Sequence, residues 1–299
     1  MFHVKHDLEK IKFCPICKGT NFKYYLSCKD HNYSYELFNI ENCKNCGFKF
    51  TNPRPTEKTI HLYYKSVNYI SHTSSKKGIL NTVYHIVRNY QLKKKYTFIN
   101  KLVDKRKRKI LDVGSGTGEF IKYFNKMGWD AKGVETDKKA RIYSINNYNC
   151  IVDETLEETF KYNKKFDIIT LWHVLEHVYD INEYISKLKK LLNKDGYLIL
   201  GLPNCNSYDA KYYKENWYAY DLPIHVSHFT RNDIKNLVDN HDLKLISTRP
   251  LIFDAYYISM MSERKKGRGF IFGLLNGIIS NLKSLKSGQY SSLMYIIKK

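Results

Sequence analysis

The sequence predicts an α/β protein in two parts: an open nucleotide-binding sheet in the larger C-terminal portion, and a small metal-stapled module ahead of it. Three observations lead there. Two C-x-x-C pairs lie near the N-terminus, a glycine-rich turn joins a buried strand to a helix at KILDVGSGTGEF (Lys109–Phe120), and strands alternate with helices after that turn. At 299 residues the chain accommodates one large domain with an appendage, and its 43% hydrophobic content suits a real core.

The opening MFHVKHDLEK has no apolar run of signal-peptide length. No stretch reaches the roughly 18 uninterrupted apolar residues of a spanning helix. A soluble, cytoplasmic protein is expected, with peripheral contact at the inner membrane face as an option. The net charge of +21 invites a nucleic-acid partner, because lysines and arginines that neutralise phosphates supply most non-specific affinity. An equally plain origin is coding bias: Lys, Asn, Ile and Tyr abound while alanine occurs five times. The basic residues are widely spread, with one dense block at DKRKRK (Asp104–Lys109).

The module spans 1–55. CPIC supplies Cys14 and Cys17 and CKNCG supplies Cys43 and Cys46, with 25 residues between the pairs. Each pair sets two thiolates on a tight turn, which suits tetrahedral coordination of a structural Zn²⁺. NFKYYLSC and YSYELFNI read as short strands between them, as in a zinc ribbon. A closed four-cysteine site leaves no open position for chemistry, and its metal stabilises a fold too small to bury enough surface alone. Cys28 and His31 read as spares, and Cys150 and Cys205 as core residues. TNPRP (Thr51–Pro55) is expected to break the module from a helical connector or lid over 56–105. That connector comprises TEKTIHLYY and YHIVRNYQLKKKYTFINKLV (Tyr84–Val103), with YYKSVNYISHTSSKKG between them as a flap.

The third part covers 106–299. Gly114, Gly116 and Gly118 make G-x-G-x-G, which departs from the dinucleotide fingerprint G-x-G-x-x-G because Glu119 occupies its last position. DAKGVETD, NCIVDE, KFDIITLWHVLEHV and DGYLILGLPN read as successive strands, and LKLISTRP with SSLMYIIKK as an antiparallel final pair. Asp137 reads as a helix N-cap.

This stretch resembles motif I of class I S-adenosylmethionine-dependent methyltransferases, hh-D-h-G-x-G-x-G. The resemblance implies a Rossmann-like seven-stranded sheet over Lys109–Lys299 behind a small N-terminal zinc ribbon and helical connector. It also implies S-adenosyl-L-methionine held by Asp112, Gly114, Ser115, Gly116, Gly118, Glu135, Asp153, Trp172 and His173. Glu135, 23 residues after Asp112, would accept from both ribose hydroxyls, and Asp153 would meet the adenine amino group. The whole order, two cysteine knuckles through DLPIHVSHFT, is similar to a bacterial group of zinc-ribbon methyltransferases associated with polysaccharide and natural-product biosynthesis.

LWHVLEHV (Leu171–Val178) carries His173, Glu176 and His177 in H-x-x-E-H spacing, a zinc-protease signature when found on a helix. Here it ends a strand, at the edge where open α/β sheets bind ligands. Two readings stand: a wall of the cofactor pocket, or a catalytic divalent site, Mg²⁺ included, on Glu176, His177 and a downstream histidine. The small-RNA 2′-O-methyltransferases and ubiquinone-pathway O-methyltransferases resembled here carry such a site, but His173 replaces their first glutamate. The acceptor loop is assigned to 205–230. In it, NWYAYDLPIHVSHFT offers His225 as general base and His228 as a brace or second catalytic residue, with His173 a third candidate. Trp217 and Tyr220 wall the acceptor pocket or pack the core.

Residues 260–289 interrupt the final strand pair. Their apolar FIFGLLNGII with cationic flanks suits an interfacial helix, a dimer contact or a lid, and its glycines weigh against a helix. The function expected is methylation of an oxygen or nitrogen on a small-molecule, glycan or lipid-linked acceptor. RNA methylation, with the ribbon and basic block gripping phosphates, is the alternative, and a non-catalytic interaction protein the third. The reaction type is legible at this level; the acceptor and the oligomeric state are open.

Overall fold

The computed structural model describes residues 7–31, 33–64, 79–104 and 106–299, with the backbone alone for 79–85. Of the expected flap, 65–78 lie outside the described residues.

From the N-terminus, β1 (Leu8–Glu9), β2 (Phe22–Lys29), β3 (Leu37–Cys43), β4 (Lys49–Thr51) and β5 (Arg54–Pro55) precede α1 (Ile79–Ile99). The alternation then runs β6 (Lys109–Val113), α2 (Glu119–Lys126), β7 (Asp130–Val134), α3 (Lys138–Tyr148), β8 (Ile151–Asp153), α4 (Leu156–Thr159), β9 (Phe166–Trp172), α5 (Ile181–Leu191) and β10 (Leu192–Pro203). Last come α6 (Tyr208–Tyr213), β11 (Ser227–His228), α7 (Arg231–Asp239), β12 (Lys244–Pro250), α8 (Asp254–Lys265), α9 (Phe270–Ser287) and β13 (Ser292–Lys298). Seven strands form one mixed sheet in the order β12-β13-β10-β9-β6-β7-β8, as the fold expectation requires. β6 lies parallel to both β7 and β9, so the strand order reverses at β6, where open sheets place ligands. The predicted antiparallel closing pair is β12 with β13.

Packing divides the chain into two compact units, each assembled from separated stretches. The unit comprising 67–172, 187–199 and Lys299 carries the glycine turn. Ile110, Leu111, Ile168 and Ile169 are fully buried, which is why β6 and β9 read as continuous apolar runs. Phe120, Ile121 and Phe124 form the buried stripe of α2. Asp137 caps α3 as expected, accepting from Ala140 N at 2.7 Å.

The unit comprising 1–66, 173–186 and 200–298 carries the cysteines. Its four-stranded sheet runs β11-β4-β3-β2, so the ribbon's sheet takes its outer strand from the 205–230 loop. TNPRP is not the break expected of it. Thr51 ends β4, and Arg54–Pro55 pair antiparallel with β1, where Arg54 also holds Glu9 at 2.7 Å. A proline is tolerated there because the two-stranded pair has an open edge that needs no N–H. TEKTIHLYY forms turns with one 3-10 turn at Ile60–Leu62, because Thr56 and Thr59 bond to each other and to local backbone instead of propagating a helix. Cys28 and Cys205 are buried here, and Cys150 in the other unit, so Cys150 and Cys205 are core residues as expected.

The glycines of 260–289 do not prevent a helix; they let two helices touch. A Cβ on Gly273 would stand 2.4 Å from Met260 Cα of α8, and one on Gly277 2.9 Å from Tyr256 Cα. The propensity cost of two glycines is about 2 kcal/mol, and the close α8–α9 packing outweighs it. No described helix is long and apolar enough to cross a membrane.

Candidate functional site

Three places gather functional side chains. The first is the cysteine group. The turns are closed by Lys18 N donating to Cys14 O (3.0 Å) and Gly47 N to Cys43 O (2.9 Å), with Gly47 at a φ of +83°. They bring the four sulfurs within 4.8 Å of one another, with Cys14–Cys46 at 3.6 Å and Cys17–Cys43 at 3.5 Å. A zinc ion with bonds of about 2.3 Å spaces tetrahedral sulfurs about 3.8 Å apart, so the set fits that ion. His31 and Cys28 stand outside the group.

The second place is the glycine turn. Gly114, Gly116 and Gly118 all have positive φ, and Gly118 caps α2 at +85° where a Cβ would meet Ser144 Cβ at 2.6 Å. Nothing lies within 4 Å of where a Gly116 Cβ would be, so the turn opens onto free space. Glu135 Oε2 accepts from Gly116 N (2.7 Å) and Oε1 from Asp137 N (2.8 Å), which fixes the carboxylate beside the turn. Asp112 is buried and accepts from Thr170 Oγ1 at 2.5 Å; burial pushes its pKa up to about 7. Asp153 is buried with Oδ2 unpartnered, and burial raises its pKa as well. Ser115 Oγ and Trp172 Nε1 are likewise buried without partners, and Lys95 Nζ lies 3.5 Å above the Trp172 ring. A glycine-lined opening flanked by orphaned polar atoms fits an adenosyl ligand. Thr170, which holds Asp112, was missed by sequence reasoning because nothing local to it announces a role.

The third place assembles the histidines. β9 ends at Trp172, and His173 turns the chain with a φ of +56° before a single 3-10 turn at Leu175–His177. That turn is shorter than the helix start expected of Glu176–His177. Val226 N donates to Glu176 O (2.9 Å), Thr51 N to Val226 O (3.1 Å) and Thr51 Oγ1 to His225 O (2.7 Å). This backbone ladder places Glu176, His177 and His225 so that one ligand atom from each lies within 4.8 Å of the others.

The two rings are oriented by carbonyls. His225 Nδ1 donates to Ala219 O at 2.8 Å and His177 Nδ1 to Ile224 O at 3.1 Å, because a carbonyl only accepts. Each ring's lone pair therefore sits on Nε2. Tyr64 OH lies 3.0 Å from His177 Nδ1, and the two rings meet edge to face at 4.6 Å. Burial, then His225, pushes His177 down to about 4, and burial lowers His225, so both imidazoles are neutral at pH 7. Glu176 is 1% exposed, and neither of its oxygens makes a hydrogen bond, although His173 Nδ1 stands 3.5 Å from Oε1.

His173 Nε2 bonds Asp254 at 3.0 Å. Burial works against its charge, but Asp254 and Glu176 outweigh that and raise it to about 10, which makes it a cation. Asp254 escaped the sequence reading because it lies 81 residues from its partner. His228 stays outside the three-donor group: its Nε2 lies 3.1 Å from Thr51 Oγ1, within β11. Trp217 and Tyr220 are core residues, with Trp217 Nε1 donating to the buried Asp209 at 2.8 Å. Glu176, His225, His228 and Trp217 line a small cavity of about 10 Å³, room for one water or ion.

Comparison with known proteins bears on the family and the fold. The methyltransferase-domain family matches residues 84–248. A ubiquinone biosynthesis O-methyltransferase of Pelagibacter ubique is 32% identical over 101 residues, covering 32% of this chain and 42% of that protein. Another, from Idiomarina loihiensis, is 25% identical over 182 residues, 56% of this chain and 74% of its own length. The match thus spans less than half the length of the Pelagibacter relative. Among solved structures, StiE O-MT residues 961-1257 superposes with a TM-score of 0.51 at 14% identity, covering 75% of this chain and 78% of that one, a likeness of fold. With more than half of its residues matched, the chain belongs to the methyltransferase-domain family.

Proposed function

We propose that the protein transfers a methyl group from S-adenosylmethionine to a hydroxyl of a small-molecule acceptor, sugars and lipid-linked compounds included. The observation that carries the acceptor chemistry is the trio of buried Glu176, half-buried His177 and buried His225 with two neutral imidazoles. The names of the curated relatives, which match 101 and 182 residues of this chain, attach O-methylation to those proteins, which supports oxygen over nitrogen.

Bound S-adenosylmethionine supplies an electrophilic methyl on a sulfonium. Asp112, Glu135 and Asp153 would hold it, with Ser115 and Trp172 completing the wall and the glycine turn leaving room for it. In this reading His225 Nε2 takes the proton of the acceptor hydroxyl and later releases it to water. Aligning the two reactants and removing this proton are the main tasks, because the displacement needs no covalent intermediate. Calorimetry with S-adenosylmethionine beside a turnover assay tests the assignment. His225→Asn is expected to leave cofactor affinity within about twofold while turnover falls on the order of 10²-fold, and unchanged turnover overturns the base role. Salt-sensitive retention on heparin would instead favour the RNA alternative.

A second reading is favoured by the buried oxygens of Glu176, neither of which makes a hydrogen bond. A carboxylate and two imidazoles, each oriented by a carbonyl on its other nitrogen, form a ligand set of the kind that holds Zn²⁺, Mn²⁺ or Fe²⁺. Mg²⁺ prefers oxygen alone, so the donor set speaks against that option. Metal analysis separates the readings: a second equivalent beside the cysteine-bound zinc, lost in Glu176→Gln, supports the ion.

A further inference from the structure

The outer face of α9 is the least explained surface of the molecule. Ile271, Leu275, Ile278, Leu282 and Leu285 recur at helical spacing along one stripe of about 21 Å, and their exposures run from 43% to 70%. Phe270 and Phe272 extend it at 49% and 55%. The opposite stripe is small and buried: Gly273, Gly277, Ser280 and Ser284. A helix made to cover a core places its large apolar residues inward, and this one does the reverse. The inward face is nevertheless firmly held. Gly273 and Gly277 press on α8, Ser280 bonds Asp209 at 2.9 Å, and Asn276 bonds Glu263 at 2.9 Å. The apolar stripe is therefore a fixed surface.

Its charge surroundings choose among occupants. Arg264, Lys265, Lys266 and Arg268 precede the helix, Lys283 and Lys286 lie in its last turns, and no Asp or Glu occurs from 264 to 299. A second copy docking on this face would bring like charge against like charge. A surface that is apolar inside and anionic at its rim satisfies both halves of the pattern.

We propose that α9 lies in the interface of a bilayer rich in anionic phospholipid, its leucine and isoleucine stripe among the upper acyl chains and its lysines and arginines on the phosphates. The arrangement is peripheral, since the helix does not cross a membrane. It does not depend on the methyl-transfer reading.

Flotation of the full chain with vesicles tests it. The protein is expected to float with phosphatidylcholine–phosphatidylglycerol vesicles, weakly with pure phosphatidylcholine, and less as salt rises. Leu282→Gln and Leu285→Gln, both at exposed positions, should each lower the partition by roughly tenfold. Lys283→Glu with Lys286→Glu should remove the preference for anionic lipid. A near-UV circular dichroism spectrum like that of the parent chain shows that these variants are folded. No flotation, or flotation indifferent to these substitutions, overturns the proposal. A lipid-free dimer that Leu285→Gln dissociates also overturns it and assigns the face to a second copy.

Discussion

Asp112 and Glu176 are both carboxylates at 3% exposure or less, and their surroundings shift them in opposite directions. Asp112 sits beside the glycine turn with one donor, Thr170, and burial lifts its pKa to about 7. Burial acts on Glu176 in the same direction, but the charged His173, 3.5 Å from Oε1, outweighs it and holds the carboxyl below its usual range. The difference lies in the neighbours. A buried acid whose burial outweighs its one donor and the field of Lys95 is poised to exchange its proton and to gain from a ligand's positive or donor groups. A buried acid beside a charged imidazolium stays ionised and keeps that neighbour in place.

Substitutions at the two acids should therefore part company. The largest effect is expected from Asp112→Asn, which removes the acid expected to hold the cofactor while stabilising the free protein. The sign follows from linkage. With a folded pKa near 7 against an ordinary 3.8, the native state holds the proton that the unfolded chain loses. The parent's stability therefore falls as pH rises from about 4 to 7 and is flat above. Thermal unfolding at pH 8 should show the variant more stable, by up to roughly 4 kcal/mol, with the gain shrinking towards pH 4. Calorimetry should show cofactor binding lost. A variant destabilised at pH 8 would place Asp112 among the paired acids and erase the contrast.

Glu176→Gln should do the opposite, costing about 2 kcal/mol, because it removes one partner of a cation, His173, whose side chain is 42% exposed and partly screened by water. Cofactor affinity should stay within about twofold. Denaturant unfolding beside calorimetry reads both outcomes. The smallest effect belongs to Thr170→Val. It removes the hydrogen bond that favours ionised Asp112, costing about 1 kcal/mol at pH 8 and less at pH 5.

These two sites also differ in how far the sequence discloses them. The glycine turn is local: Asp112 to Gly118 lie within seven consecutive positions, and their spacing alone states the strand, the turn and the helix. The seven strands were legible for the same reason, since each is a short apolar run between turn residues. The histidine group is not local. His225 was singled out as a candidate, but its meeting with Glu176 rests on Thr51, which lies 174 residues earlier and resembles any other threonine. Asp254 behind His173 and Thr170 behind Asp112 were invisible on the same account. The α9 glycines were misread because propensity ranks a residue alone, whereas their value lies in how closely α8 approaches.

The strand pairing of Ser227–His228 with Lys49–Phe50 has a further consequence, one of timing. At a synthesis rate of 5–20 residues per second, a ribosome needs roughly 9–36 s to travel from Thr51 to His228. Throughout that interval the edge of β4 has no native neighbour, and its N–H and C=O groups are open to any other strand in reach. A chaperone, or simply dilution, has to hold the ribbon until its last strand emerges. Expression at high concentration should therefore fail by association through this edge before it fails by any weakness of the finished fold.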